Sequence, residues 1–242
     1  MRLVAALFAL AFTAALAQDT RRSGFAEMSP ATQAMQRDDA QNPAFLWVQA
    51  GGQRFGEQCR RCHEPPAMRG VAARYPAWDA TLARGITLGE RIDACRVRHL
   101  KAAPWGAESD ERLAMEAWLG LQSRGLPIAP PADERLAPQR ALGQRLWTTR
   151  FGQLDLACAE CHDARAGGRL GGSTIPQGHP TGYPIYRLEW QGLGGLQRRL
   201  RNCMTGVRAE PFGHDAAETT ALEIFLMQRA AGLPVETPAV RP

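Results

Sequence analysis

The sequence predicts an all-α protein built from two tandem helical units. Three observations carry that expectation. A Cys-x-x-Cys-His motif occurs twice, a Pro-aromatic-Gly to Gly-Leu-Pro frame recurs with identical spacing, and strand-type alternation is hard to find in any stretch. The 242 residues suffice for one large domain or two of about 100 residues each. Hydrophobic residues at 45% and charged residues at 22% exclude a disordered or fibrous chain. The 29 Lys and Arg exceed the 24 Asp and Glu, a formal charge of +5, without a dense basic block. That balance suits anionic small molecules or acidic partners and argues against nucleic acid.

The first 17 residues read as a secretory signal peptide. Arg2 supplies the positive start, Leu3 to Ala14 the apolar run, and Ala15-Leu16-Ala17 a small-x-small cleavage site. The run is too short for a membrane span, and no cysteine follows it to take a lipid anchor. Its removal leaves a mature charge of 5 − 1 = +4 and an exported protein whose thiols meet an oxidising compartment, the periplasm.

Cys59-Arg60-Arg61-Cys62-His63 and Cys158-Ala159-Glu160-Cys161-His162 both match the attachment signature of c-type haem. Two thiols three positions apart on one helical turn reach the two vinyl groups of one haem, and the adjacent histidine reaches its iron. A zinc ribbon would place its second pair about 15–20 residues on, whereas here Cys158 lies 96 residues beyond Cys62. A thioredoxin-like pair would need a βαβ context, which is absent from the pattern. Two covalent haem c groups are therefore expected.

The frame that repeats runs from Pro104-Trp105-Gly106 to Gly125-Leu126-Pro127, and again from Pro211-Phe212-Gly213 to Gly232-Leu233-Pro234. Helical periodicity over 108–124 and 215–231, stopped by Gly and then Pro, closes each copy. Upstream of each motif, Phe55 is matched with Phe151. Residues 167–184, rich in Gly and Pro, read as a long loop. A unit of this size has a thin core, and a covalent haem supplies much of the apolar surface it lacks. The expected organisation is a signal peptide (1–17), an N-terminal extension (18–50) packed across a domain or a partner, a first cytochrome c-like domain (51–128), a linker (129–140), a second such domain (141–235) and a tail (236–242).

The residue on the far side of each iron decides function. Met68, Met115, Met204 and Met227 are the methionines available for an electron carrier, yet Met204 has Arg96 as its counterpart and is not duplicated. The residue before it is: Cys203 matches Cys95. Three readings compete for this pair, namely a Cys95–Cys203 disulfide, two buried structural thiols, and a thiolate ligand to each haem. Equivalent places in tandem units each face their own haem, which favours the last. His99, four residues after Cys95, is an alternative ligand for the first haem, while His179 and His214 read as solvated or capping. Around Cys203 stand Arg198, Arg199, Arg201 and Arg208. On a helix Arg199, at i−4, shares the face of the thiol, where a guanidinium suits a sulfonate and favours thiolate. Arg198 and Arg201 read as a solvated helix face or as propionate contacts.

Two longer segments resemble a known family. Ser29-Pro-Ala-Thr-Gln-Ala-Met-Gln-Arg-Asp-Asp-Ala-Gln-Asn-Pro43 with Leu46-Trp47-Val48 is similar to the N-terminal signature of SoxA, the dihaem cytochrome of the thiosulfate-oxidising Sox system. Asn202-Cys203-Met204 with Arg208-Ala209-Glu210-Pro211-Phe212 resembles the active-site segment of the same family. The resemblance implies His63 and Cys95 axial to the first haem, and His162 and Cys203 to the second. It implies Cys203 as the active cysteine carried as a persulfide, with Arg199 as a substrate contact. It also implies an enzyme, an L-cysteine S-thiosulfotransferase that joins thiosulfate to a thiol of the carrier SoxYZ. Its partners would be a small cytochrome, SoxX, and a downstream c-type cytochrome acceptor. The reading of a different class is a dihaem cytochrome that only carries electrons.

Overall fold

The computed structural model describes residues 19–242, and the expected signal peptide at 1–17 lies outside them. The chain begins with helix α1 (Pro30–Arg37), capped by the Ser29 side chain and primed by Pro30 at its first turn. The first unit follows: α2 (Phe45–Gln58), strands β1 (Ala77–Asp79) and β2 (Arg84–Ile86), α3 (Leu88–Cys95) and α4 (Asp110–Leu121). The second repeats that order with α5 (Ala137–Thr148), α6 (Cys158–His162), strands β3 (Arg169–Leu170) and β4 (Ser173–Thr174), β5 (Ile185–Arg187), β6 (Gly192–Gly194), α7 (Leu196–Gly206) and α8 (Ala217–Arg229). Strand β7 (Ala239–Arg241) closes the chain by pairing parallel to β5, giving a sheet ordered β6-β5-β7. Among the described residues, no helix is long and apolar enough to cross a membrane.

Two tandem helical units are what the sequence predicts, but several details differ. Short antiparallel hairpins, β1 with β2 and β5 with β6, precede the cysteine-bearing helices. Their three-residue strands are too short to show alternation. A further hairpin, β3 with β4, lies inside the stretch read as loop. Helix α5 starts at Ala137, within the expected linker, and α2 starts at Phe45, within the expected extension. The rest of the extension lies against the second unit. Arg21 donates to the carbonyls of Arg229 and Ala231, both at 2.9 Å, and Asn42 donates to the Pro238 carbonyl at 2.9 Å.

In each unit the first helix crosses the last at a glycine. A Cβ on Gly51 would stand 2.0 Å from the Ala114 carbonyl oxygen, and one on Gly143 would stand 2.1 Å from that of Ala221. Only a residue without a side chain lets the two backbones meet this closely. One turn on from each crossing, aromatic rings lock it: Phe55 stacks on Trp118 at 4.2 Å between centroids, and Trp147 meets Phe225 at 6.0 Å. The structural counterpart of Phe55 is therefore Trp147. Phe151, matched to it by sequence, sits in a turn with its edge to Phe212 at 5.8 Å.

The two Gly-Leu-Pro segments, which stop the closing helices, bind one another. Gly125 N–H donates to the Val235 carbonyl at 2.8 Å and Val235 N–H to that of Leu126 at 2.9 Å, while Ile128 and Gly232 N–H donate to Leu233 and Ile128 carbonyls at 2.8 Å. Gly125 and Gly232 take φ values of +81° and +90°, which glycine adopts without strain. Nearby, buried Arg112 donates to Asp215 at 2.7 and 3.0 Å and to Asp93 at 3.3 Å, tying the units together. Glu116 and Glu223, at the same place in the two frames, line a cavity of about 90 Å³ at this interface. Burial pushes the Glu116 carboxyl up to about 7 and that of Glu223 up to about 8.

Gly143→Ala should lower stability by about 3 kcal/mol, because overpacking at a backbone contact forces the helices apart; urea denaturation checks this. The two glutamates hold their protons more tightly folded than unfolded, so their contribution is present in acid and lost as pH rises from about 4.5 towards 8. Glu223→Gln should leave the melting temperature unchanged below about pH 4 and raise it by several degrees at pH 8, as scanning calorimetry would record.

Candidate functional site

The first unit encloses a cavity of about 620 Å³. Cys59, Cys62 and His63 stand on one wall, where α2 ends, and Cys95 stands on another, at the end of α3. Apolar side chains including Phe55, Leu88, Ile92 and Trp105 line the space between. Helix α3 starts from a capping box in which the Thr87 hydroxyl accepts from Glu90 N–H at 3.1 Å and Glu90 accepts from Thr87 N–H at 2.9 Å. Beyond Cys95 the chain widens into a π turn, Arg96–Leu100, whose His99 also lines the cavity. Met68 and Met115 line it as well. Burial, reinforced by the charge of Cys95, pushes the Cys59 thiol up.

The second unit encloses a cavity of about 610 Å³ that brings together His162, Arg199 and Cys203. Cys158 and Cys161 lie on α6, next to His162 but outside the lining. Helix α6 is started by Glu160, which accepts from Ala157 N–H at 2.8 Å. The His162 Nδ1–H donates to the Pro176 carbonyl at 2.7 Å, which fixes the ring and leaves Nε2 as the free nitrogen. Burial pushes the Cys158 thiol up to about 11, with the nearby Cys203 as the second cause. Cys203 goes the other way. Its burial would raise it, but the His162 ring and the guanidinium groups of Arg199 and Arg187 outweigh that and hold the thiol below its ordinary value.

The arginines around Cys203 divide as their helix faces dictate. Arg199 lines the cavity. Arg198 lies over the Trp190 ring at 4.2 Å, Arg201 donates to the Phe212 carbonyl, and Arg208 is exposed. Cys95 and Cys203 occupy separate cavities and all six cysteines are free, which removes the disulfide reading. Met204 is buried outside the second cavity, and Met227 lines the interface cavity instead. His214 is exposed, as expected. His179 is not solvated: it is buried, lines the second cavity and places Nδ1 3.1 Å from the Arg22 carbonyl.

Comparison with known proteins decides the family. The sequence profile of the SoxA/TsdA cytochrome c domain matches residues 44–128 and again 142–235. The L-cysteine S-thiosulfotransferase subunit SoxA of Pseudaminobacter salicylatoxidans is 34% identical over 92% of this chain and 82% of its own. The subunit of that name from Paracoccus pantotrophus is 33% identical over 92% and 80%. The chain belongs to the SoxA family. Its fold agrees, since the crystal structure of SoxXA from P. pantotrophus superposes with a TM-score of 0.87 at 32% identity, covering 92% of this chain and 87% of that one.

A cytochrome c domain in the SoxA family implies haem c, and the residues present fit it. Each cavity has the size of a pocket for a large ligand, a motif histidine on its wall and a cysteine in its lining. Among the described residues, no cluster of three or more His, Cys, Asp or Glu could hold a bare metal ion. Met28, Arg187 and Arg241 of the second cavity's lining escaped the sequence reading, which had His179 as solvated or capping. The Tyr-Pro before each hairpin, Tyr75-Pro76 and Tyr183-Pro184, is the repeated signal that would have found Arg187.

Proposed function

We propose that the chain oxidatively conjugates thiosulfate to a cysteine thiol of a carrier protein, with Cys203 as the reactive sulfur. The observation that supports this best is a thiol made acidic by the guanidinium groups and histidine that share its cavity. Two covalent haem c groups belong to this reading. Cys59 and Cys62 would hold the first, with His63 and Cys95 as its iron ligands; Cys158 and Cys161 would hold the second, with His162 and Cys203 as its iron ligands. Bound there, haem c supplies one-electron acceptors beside the reacting sulfur.

Arg199 binds the sulfonate end of thiosulfate through paired N–H donors and turns the outer sulfur towards Cys203. The arginines and His162 hold the Cys203 thiol below its ordinary value, which favours the thiolate and the carriage of sulfur as a persulfide. In the net reaction, one S–S bond forms between the outer sulfur of thiosulfate and the carrier thiol. The thiol S–H bond breaks, one proton leaves to solvent, and two electrons leave for a c-type cytochrome acceptor. Within this reading a SoxX-type small cytochrome is the stable partner and a SoxYZ-type protein the carrier, which presents its cysteine on a mobile arm. Signal peptide 1–17 sends the mature protein to the periplasm.

Cys203→Ala should abolish thiosulfate-dependent activity, by about a thousandfold or more, with the haem still attached; retained turnover would refute the assignment. In the oxidised protein, low-spin EPR should give a His/thiolate signature at the second haem, and a His/Met signature would favour a plain electron carrier. Intact mass should show both haem groups, with about 32 Da more where the persulfide is present.

A further inference from the structure

The two units place different charges at one equivalent position. Strands β1 and β5 pair with β2 and β6 in the same register, Asp79 opposite Arg84 and Arg187 opposite Gly192. Each hairpin runs into the helix that carries the cysteine, and Arg91 and Arg199 both stand four residues before it. Asp79 and Arg187 are thus counterparts, each the last residue of its strand.

In the first unit Asp79 is buried and ion-paired with two arginines, of which Arg91 lines the cavity, as do Arg74 and Arg96. Asp79 accepts two hydrogen bonds from Arg98, at 2.7 and 2.8 Å, and one from Arg91 at 3.3 Å. Arg91, the counterpart of Arg199, is therefore tied to a carboxylate. In the second unit that carboxylate is replaced by a buried guanidinium. Arg187 lines the cavity with Arg199 and Cys203, and its Nε has no hydrogen-bond partner. Its sole ion pair among the described residues is with Glu189 at the exposed rim, 3.1 Å away. Trp190, at 5.1 Å under the guanidinium, holds it in place. Arg241, the third guanidinium of the lining, is already engaged by Glu236 at 2.6 Å. Arg199 has no ion pair among the described residues.

A buried guanidinium and a half-buried one without a carboxylate between them repel, and the group that relieves them is an anion. Thiosulfate carries two negative charges and a sulfonate able to accept from two planar forks at once. We propose that Arg187 is a second sulfonate-binding side chain of the Cys203 pocket, and that the exchange of Asp79 for Arg187 confines thiosulfate binding to the second unit. This rests on the reading of Cys203 as the thiosulfate site.

The test uses the haem-loaded protein and inorganic thiosulfate, with the dissociation constant and stoichiometry measured calorimetrically, alongside KM and kcat for conjugation. The wild type should bind one thiosulfate per chain, and two would overturn the confinement to one unit. Arg187→Gln should raise the dissociation constant and KM together by about 10- to 100-fold, the loss of a charged hydrogen-bonding group, with kcat changed far less. Arg187→Lys should recover part of that loss. Glu189→Gln, at the rim, frees Arg187 of its counter-charge and should tighten binding by about two- to fivefold. Unchanged binding in Arg187→Gln overturns the proposal. If that variant fails to fold, unchanged binding in Glu189→Gln overturns it instead. A wild type that binds no thiosulfate, with Cys203→Ala as active as the parent, sinks the underlying reading. Loss of activity in Cys203→Ala with normal binding in Arg187→Gln sinks the role of Arg187 alone.

Discussion

Each unit hangs on one contact, the glycine at which its first helix meets the backbone of its last. The Gly51–Ala114 and Gly143–Ala221 crossings set the angle and separation of two helices, and the remaining parts are placed from that frame. In the first unit the first helix ends at the Cys-x-x-Cys-His turn, and in the second the separate short helix α6 carries it. The hairpin and the cysteine-bearing helix close the opposite side. What the frame leaves between them is a cavity of about 600 Å³ in each unit, where a purely apolar domain would have its core. Such a unit depends on the group it encloses for much of its apolar contact, the usual solution for a small domain.

The pseudo-symmetry of the frame makes the differences between the units informative. Both have the motif, the hairpin and the facing cysteine. They differ in what surrounds the cysteine: an Asp-Arg-Arg cluster in the first and a set of arginines around an acidified thiol in the second. The same backbone thus serves two electrostatic settings, one in which a buried carboxylate ties its arginines and one that leaves them to an anion. Duplication supplied the scaffold, and a few side chains assigned the tasks.

Much of this was legible in the sequence because it is local or repeated. The Cys-x-x-Cys-His turns follow from covalent reach, and the match of Cys95 with Cys203 follows from counting along two copies. Arg199 was visible because helical spacing carries it to the face of Cys203. Other residues were hidden by the third dimension. Arg187 stands 16 residues before Cys203 and returns to it only through a hairpin whose strands are too short to announce themselves. Met28, His179 and Arg241 come from elements that sequence spacing cannot bring together. The Gly-Leu-Pro repeats were read as punctuation, and they are an interface because each supplies the hydrogen-bond partners of the other. Phe55 was matched to Phe151 by residue type, whereas the crossing glycines make Trp147 its counterpart.

The strand added by residues 239–241 has a consequence for the order in which the protein assembles. The first cavity is lined from residues 55 to 131, a contiguous stretch that can close on itself as soon as it is available. The second draws on residues 24 to 242, so its wall joins both ends of the described chain. Contacts that span such a separation form late, since they carry the largest loop-closure cost. The unit that holds Cys203 is therefore the last to be sealed, and its cavity stays reachable until residues 239–241 are in place.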